Sequence, residues 1–167
     1  MSWVISIETK PIIKPISISY SKLSYDDIDS IVFIEHQNSQ NPWSKNQLVE
    51  SILNPTNLCY SMSIDNQILG FLMVMPAFDT ADILNISINA EFQRNGHGTR
   101  LLYYLIQELK NTKIRELILE VRASNQAAIS FYLKYGFEKI SLRKNYYMNN
   151  SKHPNQKEDG IIMRLKF

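Results

Sequence analysis

Apolar and polar residues alternate with period two across Ile16-Ser17-Ile18-Ser19-Tyr20, the pattern of a strand with one face in a core. The period then lengthens. Ile28, Ile31, Val32 and Ile34 recur at helical spacing behind Ser24 and Asp27, which suit a helix start. After Asn41-Pro42-Trp43, Ser44 and Gln47 make a capping box for a second helix reaching residue 53. Residues 58–64 and 68–75 read as strands joined by the polar turn Asp65-Asn66-Gln67, and a third strand spans about 81–88. Leu101, Leu102, Leu105, Ile106 and Leu109 share one face of a helix over about 98–110. Leu117-Ile118-Leu119 is apolar at every position, as in a strand covered on both faces. Residues 125–135 form another helix, stopped by Gly136 as a left-handed cap. Strands at about 137–144 and 161–166 flank a polar loop.

This order predicts a mixed α/β sheet flanked by helices, with a strand–helix–strand crossover between about residues 81 and 121. Ligands favour the C-terminal ends of strands joined in that way. The chain of 167 residues suits one domain, which can bury a core without disulfides or metals. Residues 1–15, interrupted by Pro11 and Pro15, read as an extension, and 16–167 as the folded domain.

Composition narrows the classes. Hydrophobic residues make up 44% and charged residues 20%, as in an ordinary globular protein. A formal charge of +2 gives no argument for direct nucleic-acid binding. The single Cys59 cannot close an internal disulfide, and its apolar neighbours point to a buried, inert thiol in a reducing compartment. Glu8, Lys10, Pro11, Lys14 and Pro15 break the N-terminal apolar run, so it does not read as a signal peptide. No segment is long enough to cross a bilayer as a helix. The expected address is the cytoplasm, with no membrane partner. His36, His97 and His153 share no metal-ligand spacing, so no metal is expected.

Three segments carry candidate chemistry. Gln93-Arg94-Asn95-Gly96-His97-Gly98-Thr99 follows a strand and opens a helix. Glycines there let the backbone turn tightly, and a helix N-terminus offers unpaired N–H donors, so the segment suits a pyrophosphate. It is neither a P-loop, which needs a following Gly-Lys-Ser/Thr, nor the dinucleotide fingerprint, which needs a third glycine. In the second segment, Leu119 to Asn125, Glu120 ends an apolar strand. It reads either as a solvated charge or partner of Arg122, or as a general base. Asn125 suits a helix cap and also a ligand contact. In the third, Tyr132 shares a face with Ala128 and Ile129, so it reads either as a core aromatic or as a general acid.

These pieces in this order resemble the GNAT acetyltransferase superfamily. Within it the chain is most similar to the RimI-type ribosomal-protein-alanine N-acetyltransferases, over about residues 20–166. The matching stretches are Asn41-Pro42-Trp43-Ser44, Asn85-Ile86-Ser87-Ile88, the glycine loop, Leu119 to Asn125, Asn145-Tyr146-Tyr147 and Glu158-Asp159-Gly160-Ile161-Ile162-Met163. The resemblance implies the GNAT fold and transfer of acetyl from acetyl-CoA to an N-terminal α-amine. It makes Glu120 the general base and Tyr132 the general acid. It assigns Ile86, Ser87, Ile88, Arg94, Asn95, Gly96, His97, Gly98, Thr99 and Asn125 to acetyl-CoA. Trp43, Tyr146, Tyr147 and Asp159 would meet the acceptor, the N-terminal alanine of small-subunit ribosomal protein eighteen. His97 departs from the family, which usually has an aliphatic residue there, and the loop over 148–157 is longer than usual. Two other readings remain: a GNAT enzyme for a small amine such as a polyamine or antibiotic, and a non-catalytic acyl-CoA-binding module.

Overall fold

The computed structural model describes residues 17–148 and 157–167. The expected extension at 1–15, His153 and residues 149–156 of the longer loop lie outside them. Seven strands form one sheet in the order β1-β2-β3-β4-β5-β7-β6. They are β1 (Ile18–Lys22), β2 (Leu58–Ile64), β3 (Gln67–Ala77), β4 (Thr80–Ile88), β5 (Glu116–Arg122), β6 (Glu138–Met148) and β7 (Lys157–Lys166). The helices are α1 (Ile28–Asn38), α2 (Lys45–Leu53), α3 (His97–Leu109) and α4 (Gln126–Lys134), with short 3-10 turns at Tyr25–Asp27 and Ala90–Phe92. The expected order of elements holds.

Local chemistry accounts for the boundaries. Ser44 accepts the Gln47 N–H, and the Gln47 side chain accepts the Ser44 N–H at 2.9 Å. That reciprocal pair starts α2 as expected. The first helix starts later than its sequence suggests, because Ser24 and Asp27 bracket the 3-10 turn and α1 follows it. Gly136 takes φ 87° after α4, the left-handed stop that glycine adopts without strain. β6 runs past the expected residue 144 to Met148 by way of a bulge, where Asn145 has φ 52° and donates its N–H to Asp159 at 2.8 Å.

Two apolar layers enclose the sheet. Leu101, Leu102, Leu105 and Leu109 of α3 are each at most 2% exposed, packed with Met62, Leu72, Leu117, Ile129 and Phe137. A buried leucine contributes about 1.5–3 kcal/mol, so this stripe is what fastens α3 to the sheet. On the other side Ile31, Ile34 and Leu48 pack on Phe71 and Met73. Leu117 and Leu119 are buried, whereas Ile118 between them is only half-buried. Expected cover on both faces of β5 is therefore incomplete.

One feature of the sheet positions the site. β4 and β5 are its parallel pair, and they pair only from Thr80↔Glu116 to Ile83↔Leu119. Beyond those residues the strands part, leaving the end of β4 and Glu120 to Arg122 of β5 on opposite sides of a gap.

Candidate active site

The gap widens into a cleft of about 1260 Å³. Its walls include Ile86, Ser87 and Ile88 of β4, Glu120 and Arg122 of β5, and the glycine loop with the start of α3. Asn125, Phe131 and Tyr132 line it from α4 and its cap, and Trp43 from the α1–α2 connection. Residues distant in sequence thus meet at one opening, at the C-terminal end of the parallel strands.

At the loop end, Gly96 has φ 78° and caps α3, and Arg94 also has a positive φ of 63°. Gly98 needs no such conformation. A Cβ on it would lie in ordinary contact with Phe131 at 3.6 Å and Ile88 at 3.9 Å, so only a side chain reaching beyond Cβ would crowd the cleft there. Thr99 Oγ1 and the Tyr135 hydroxyl lie 2.6 Å apart, tying the first turn of α3 to the end of α4. His97 packs edge-on against Phe92, and among the described residues its buried Nδ1 has no hydrogen-bond partner. The first N–H groups of α3 have no intrahelical acceptor, so loop and helix together can hold an anion.

Along β4, Asn89 donates its N–H to Leu69 of β3 at 2.7 Å. Successive backbone N–H groups of a strand point to opposite edges. The Ile88 N–H therefore faces the gap, away from β3, and is placed to meet a polarised oxygen there. The Ile88 carbonyl, on the same edge, accepts from Asn38 at 2.8 Å and Gln93 at 3.0 Å.

Glu120 stands at the other wall. Its Oε2 accepts from Arg143 Nη1 at 2.8 Å, and its side chain is 18% exposed. A pairing with Arg122, one of the readings from sequence, is not what the fold makes. Arg122 pairs with Glu158 at 3.2 Å, and Glu158 also accepts the Ser124 N–H at 2.6 Å. These donors hold the Glu158 carboxyl below the usual carboxylate range, although burial opposes them. Arg122 lies over the Tyr147 ring at 4.2 Å, and Arg143 over Tyr146 at 3.7 Å. Burial first, and then the neighbouring Glu120 carboxylate, push the Tyr147 hydroxyl up. Gly160 of β7 makes room for this group, because a side chain there would meet Glu120 at 3.2 Å and Tyr147 at 3.3 Å.

Tyr132 is 7% exposed, packed between Phe131 and Phe137. It is both a core aromatic and a cleft residue. Burial pushes its hydroxyl well above the ordinary tyrosine value, so it stays protonated and able to donate. Asn125 caps α4 through Oδ1, which accepts the Ala128 N–H at 3.1 Å, and its amide NH₂ remains to donate. Asp159, expected to meet the acceptor, has one oxygen on the Asn145 N–H. Among the described residues no three His, Cys, Asp or Glu side chains group closely enough to hold a metal ion.

Arg143, Gly160 and Glu35 belong to this site and were not singled out from sequence. Arg143 and Gly160 carry no local signal. Glu35 did carry one, since it follows Ile28, Ile31 and Ile34 on the buried side of α1 and is itself buried.

Many known proteins are similar to this chain in sequence or fold. The family model for the acetyltransferase (GNAT) family matches residues 25–137. The ribosomal protein bS18-alanine N-acetyltransferase of Salmonella typhimurium is 36% identical over 149 residues, covering 87% of this chain and 95% of its own. Its counterpart in Haemophilus influenzae is 35% identical over 147 residues, covering 86% and 94%. Among solved structures, a ribosomal-protein-alanine N-acetyltransferase from Escherichia coli superimposes with a TM-score of 0.81 at 32% identity, covering 90% and 94%.

Proposed function

The chain belongs to the GNAT acetyltransferase family, and from that premise we propose that it acetylates the N-terminal alanine of ribosomal protein bS18. The observation that carries this reading is the convergence of Glu120, Tyr132, Trp43 and Tyr147 on the cleft that also holds the glycine loop. The relatives of that name match almost end to end.

The residues present fit acetyl-CoA. The glycine loop and the first turn of α3 bind its pyrophosphate through backbone N–H groups. The unpaired edge of β4 at 86–88 receives its extended arm, and Asn125 contributes its amide. Bound there, acetyl-CoA supplies an activated acyl group.

An N-terminal α-amine has a pKa of about 8 and is mostly protonated at neutral pH. Glu120, directly or through a water, removes that proton. The freed amine attacks the thioester carbonyl, whose oxygen is met by the Ile88 N–H. The C–N bond forms and the C–S bond breaks, and the thiolate leaves with a proton from Tyr132. The second proton of the attacking nitrogen, carried by water, restores the tyrosine. Burial keeps the Tyr132 hydroxyl protonated but makes it a weaker acid, so its role rests on its place in the cleft. Trp43, Tyr146 and Tyr147 wall the short extended N-terminus. Asp159, with an oxygen left over from the Asn145 bond, pairs with a basic residue behind the alanine. The reaction needs no metal and takes place in the cytoplasm.

Release of CoA with an alanine-initiated peptide, with spermidine and without acceptor tests the reading. Release that depends on the peptide supports it. Release with spermidine alone would make the chain a small-amine acetyltransferase. Binding of acetyl-CoA without release in any arm would make it a non-catalytic module.

A further inference from the structure

One buried carboxylate has no part in that reaction. Glu35 of α1 is 4% exposed and lines the cleft. Burying an ionised carboxylate is costly unless neighbours supply donors. Glu35 takes three from described residues, none of them a cation. Oε1 accepts the Trp43 N–H at 3.1 Å, and Oε2 accepts from Asn85 Nδ2 at 2.9 Å and Ser87 Oγ at 3.4 Å. The donors lie on two different walls. Trp43 leads into α2 on the acceptor side, while Asn85 and Ser87 flank Ile86 on the strand assigned to acetyl-CoA.

The rest of this helical turn reinforces the same strand. Asn38 donates to the Ile88 carbonyl at 2.8 Å, and Gln37 accepts the Ala90 N–H at 3.1 Å. Past Ile83, β4 has lost its partner on the β5 side, so the end that would carry acetyl-CoA is held from α1 instead. Glu35 is the member of that turn that also reaches the acceptor wall.

We propose that Glu35 is a positioning residue that couples the two substrate sites. One of its oxygens sets Trp43 and the other sets Asn85 and Ser87, so both walls keep their spacing only while this bridge is whole. The proposal rests on the reading above for which wall serves which substrate. The bridge works through geometry and not through charge. A glutamine can rebuild both arms, because its oxygen accepts from Trp43 and its NH₂ donates to Asn85 once the Asn85 amide turns over. Ser87 Oγ then accepts from the turned NH₂ instead of donating to Asn85 Oδ1. A methionine, similar in length, can do neither.

The test compares wild type, Glu35→Gln and Glu35→Met by acceptor KM, by calorimetric affinity for acetyl-CoA alone, and by thermal melting. In the methionine variant the Trp43 N–H and the Asn85 NH₂ lose their acceptor, while Ser87 keeps only its bond to Asn85, which is expected to raise the acceptor KM and weaken acetyl-CoA by about tenfold each. The glutamine variant is expected to keep both constants within about twofold of wild type. A defect of folding alone would lower kcat through a smaller active fraction and leave KM in place. Should the methionine variant not fold, Asn85→Ala replaces it. That change removes the shorter of the two β4 bonds and leaves the Trp43 arm whole, and is expected to weaken acetyl-CoA while sparing the acceptor KM. Wild-type constants in the methionine variant, or a glutamine variant as impaired as methionine, would overturn the proposal. If wild type never acetylates the peptide, the acceptor reading fails separately. The acetyl-CoA affinities of the same three proteins then still decide whether the bridge exists.

Discussion

Gly160→Val should slow the enzyme about a hundredfold without unfolding it. A Cβ at this position lies 3.2 Å from Glu120 Cδ, 3.4 Å from Glu120 Cγ and 3.3 Å from Tyr147 Cε2. Carbon atoms rest at about 3.5–4.0 Å, so alanine already asks its neighbours to yield by a few tenths of an ångström. Valine adds two methyl groups in the same space. Glu120 cannot retreat freely, because Arg143 holds its Oε2 at 2.8 Å and Tyr147 is covered by Arg122. The strand itself tolerates the change. Gly160 does not have the left-handed φ of Gly96 and Gly136, and β-branched residues favour strands. A reacting group displaced by about 1 Å costs on the order of 10²-fold in rate, so valine should lose roughly that much. Alanine should lose less than about tenfold. Gly160 is not part of the cleft wall, so acetyl-CoA affinity should not change. Turnover with an alanine-initiated peptide, calorimetric titration and a thermal melt give the three readings. Turnover within about twofold of wild type in the valine variant would refute the claim that the reaction depends on where Glu120 sits.

Three more predictions use other parts of the site. Tyr132→Phe keeps the ring contacts with Phe131 and Phe137 and removes the proposed acid, so the melt should hold while turnover falls about 10²-fold; an unchanged rate would leave Tyr132 as core only. Gly98→Val fills the floor next to Phe131 and Ile88 and should weaken acetyl-CoA at least about tenfold, with unchanged affinity removing the pyrophosphate assignment. Alkaline pH should destabilise the fold. Burial and the Glu108 carboxylate push Tyr60 up to about 12, and burial raises Tyr20, Tyr104, Tyr132 and Tyr147 as well. Unfolded tyrosines lose their protons near pH 10, so above that pH the folded state binds more protons. Stability should be whole below about 10 and decline toward 12, and a melting temperature flat across that window would contradict these shifts.

Periodicity and turn chemistry made most of the architecture legible. Ser44 with Gln47, the leucine stripe of α3 and Gly136 each act within a few residues, and local signals of that kind survive folding. The separation of β4 from β5 after Ile83 is different in kind. It depends on strands far apart in sequence, and no pattern within either strand marks where pairing stops. The site divides in the same way. Glu120 was visible as a charge closing an apolar strand, and the glycine turn by its spacing. Arg143 was not visible, since its bond to Glu120 spans 23 residues and depends on β6 lying beyond β7 in the sheet. Gly160 stands out in the sequence only as part of a matching stretch, because the need for its missing side chain arises where three strands meet. Tyr132 read as core or as acid, and the fold makes it buried and cleft-lining together. Periodicity reports burial alone, so it could not separate the two.

In the proposed reaction the α-amine of the alanine that begins ribosomal protein bS18 receives the acetyl group. Mass spectrometry of intact bS18 from cells with and without this enzyme measures that directly. An N-terminus heavier by one acetyl group is expected when the enzyme is present and an unmodified one when it is absent, with Glu120→Gln behaving as absent. A bS18 N-terminus that stays acetylated without the enzyme, or never carries acetyl in its presence, would contradict the acceptor assignment and leave the chain a GNAT acetyltransferase with a different amine to find.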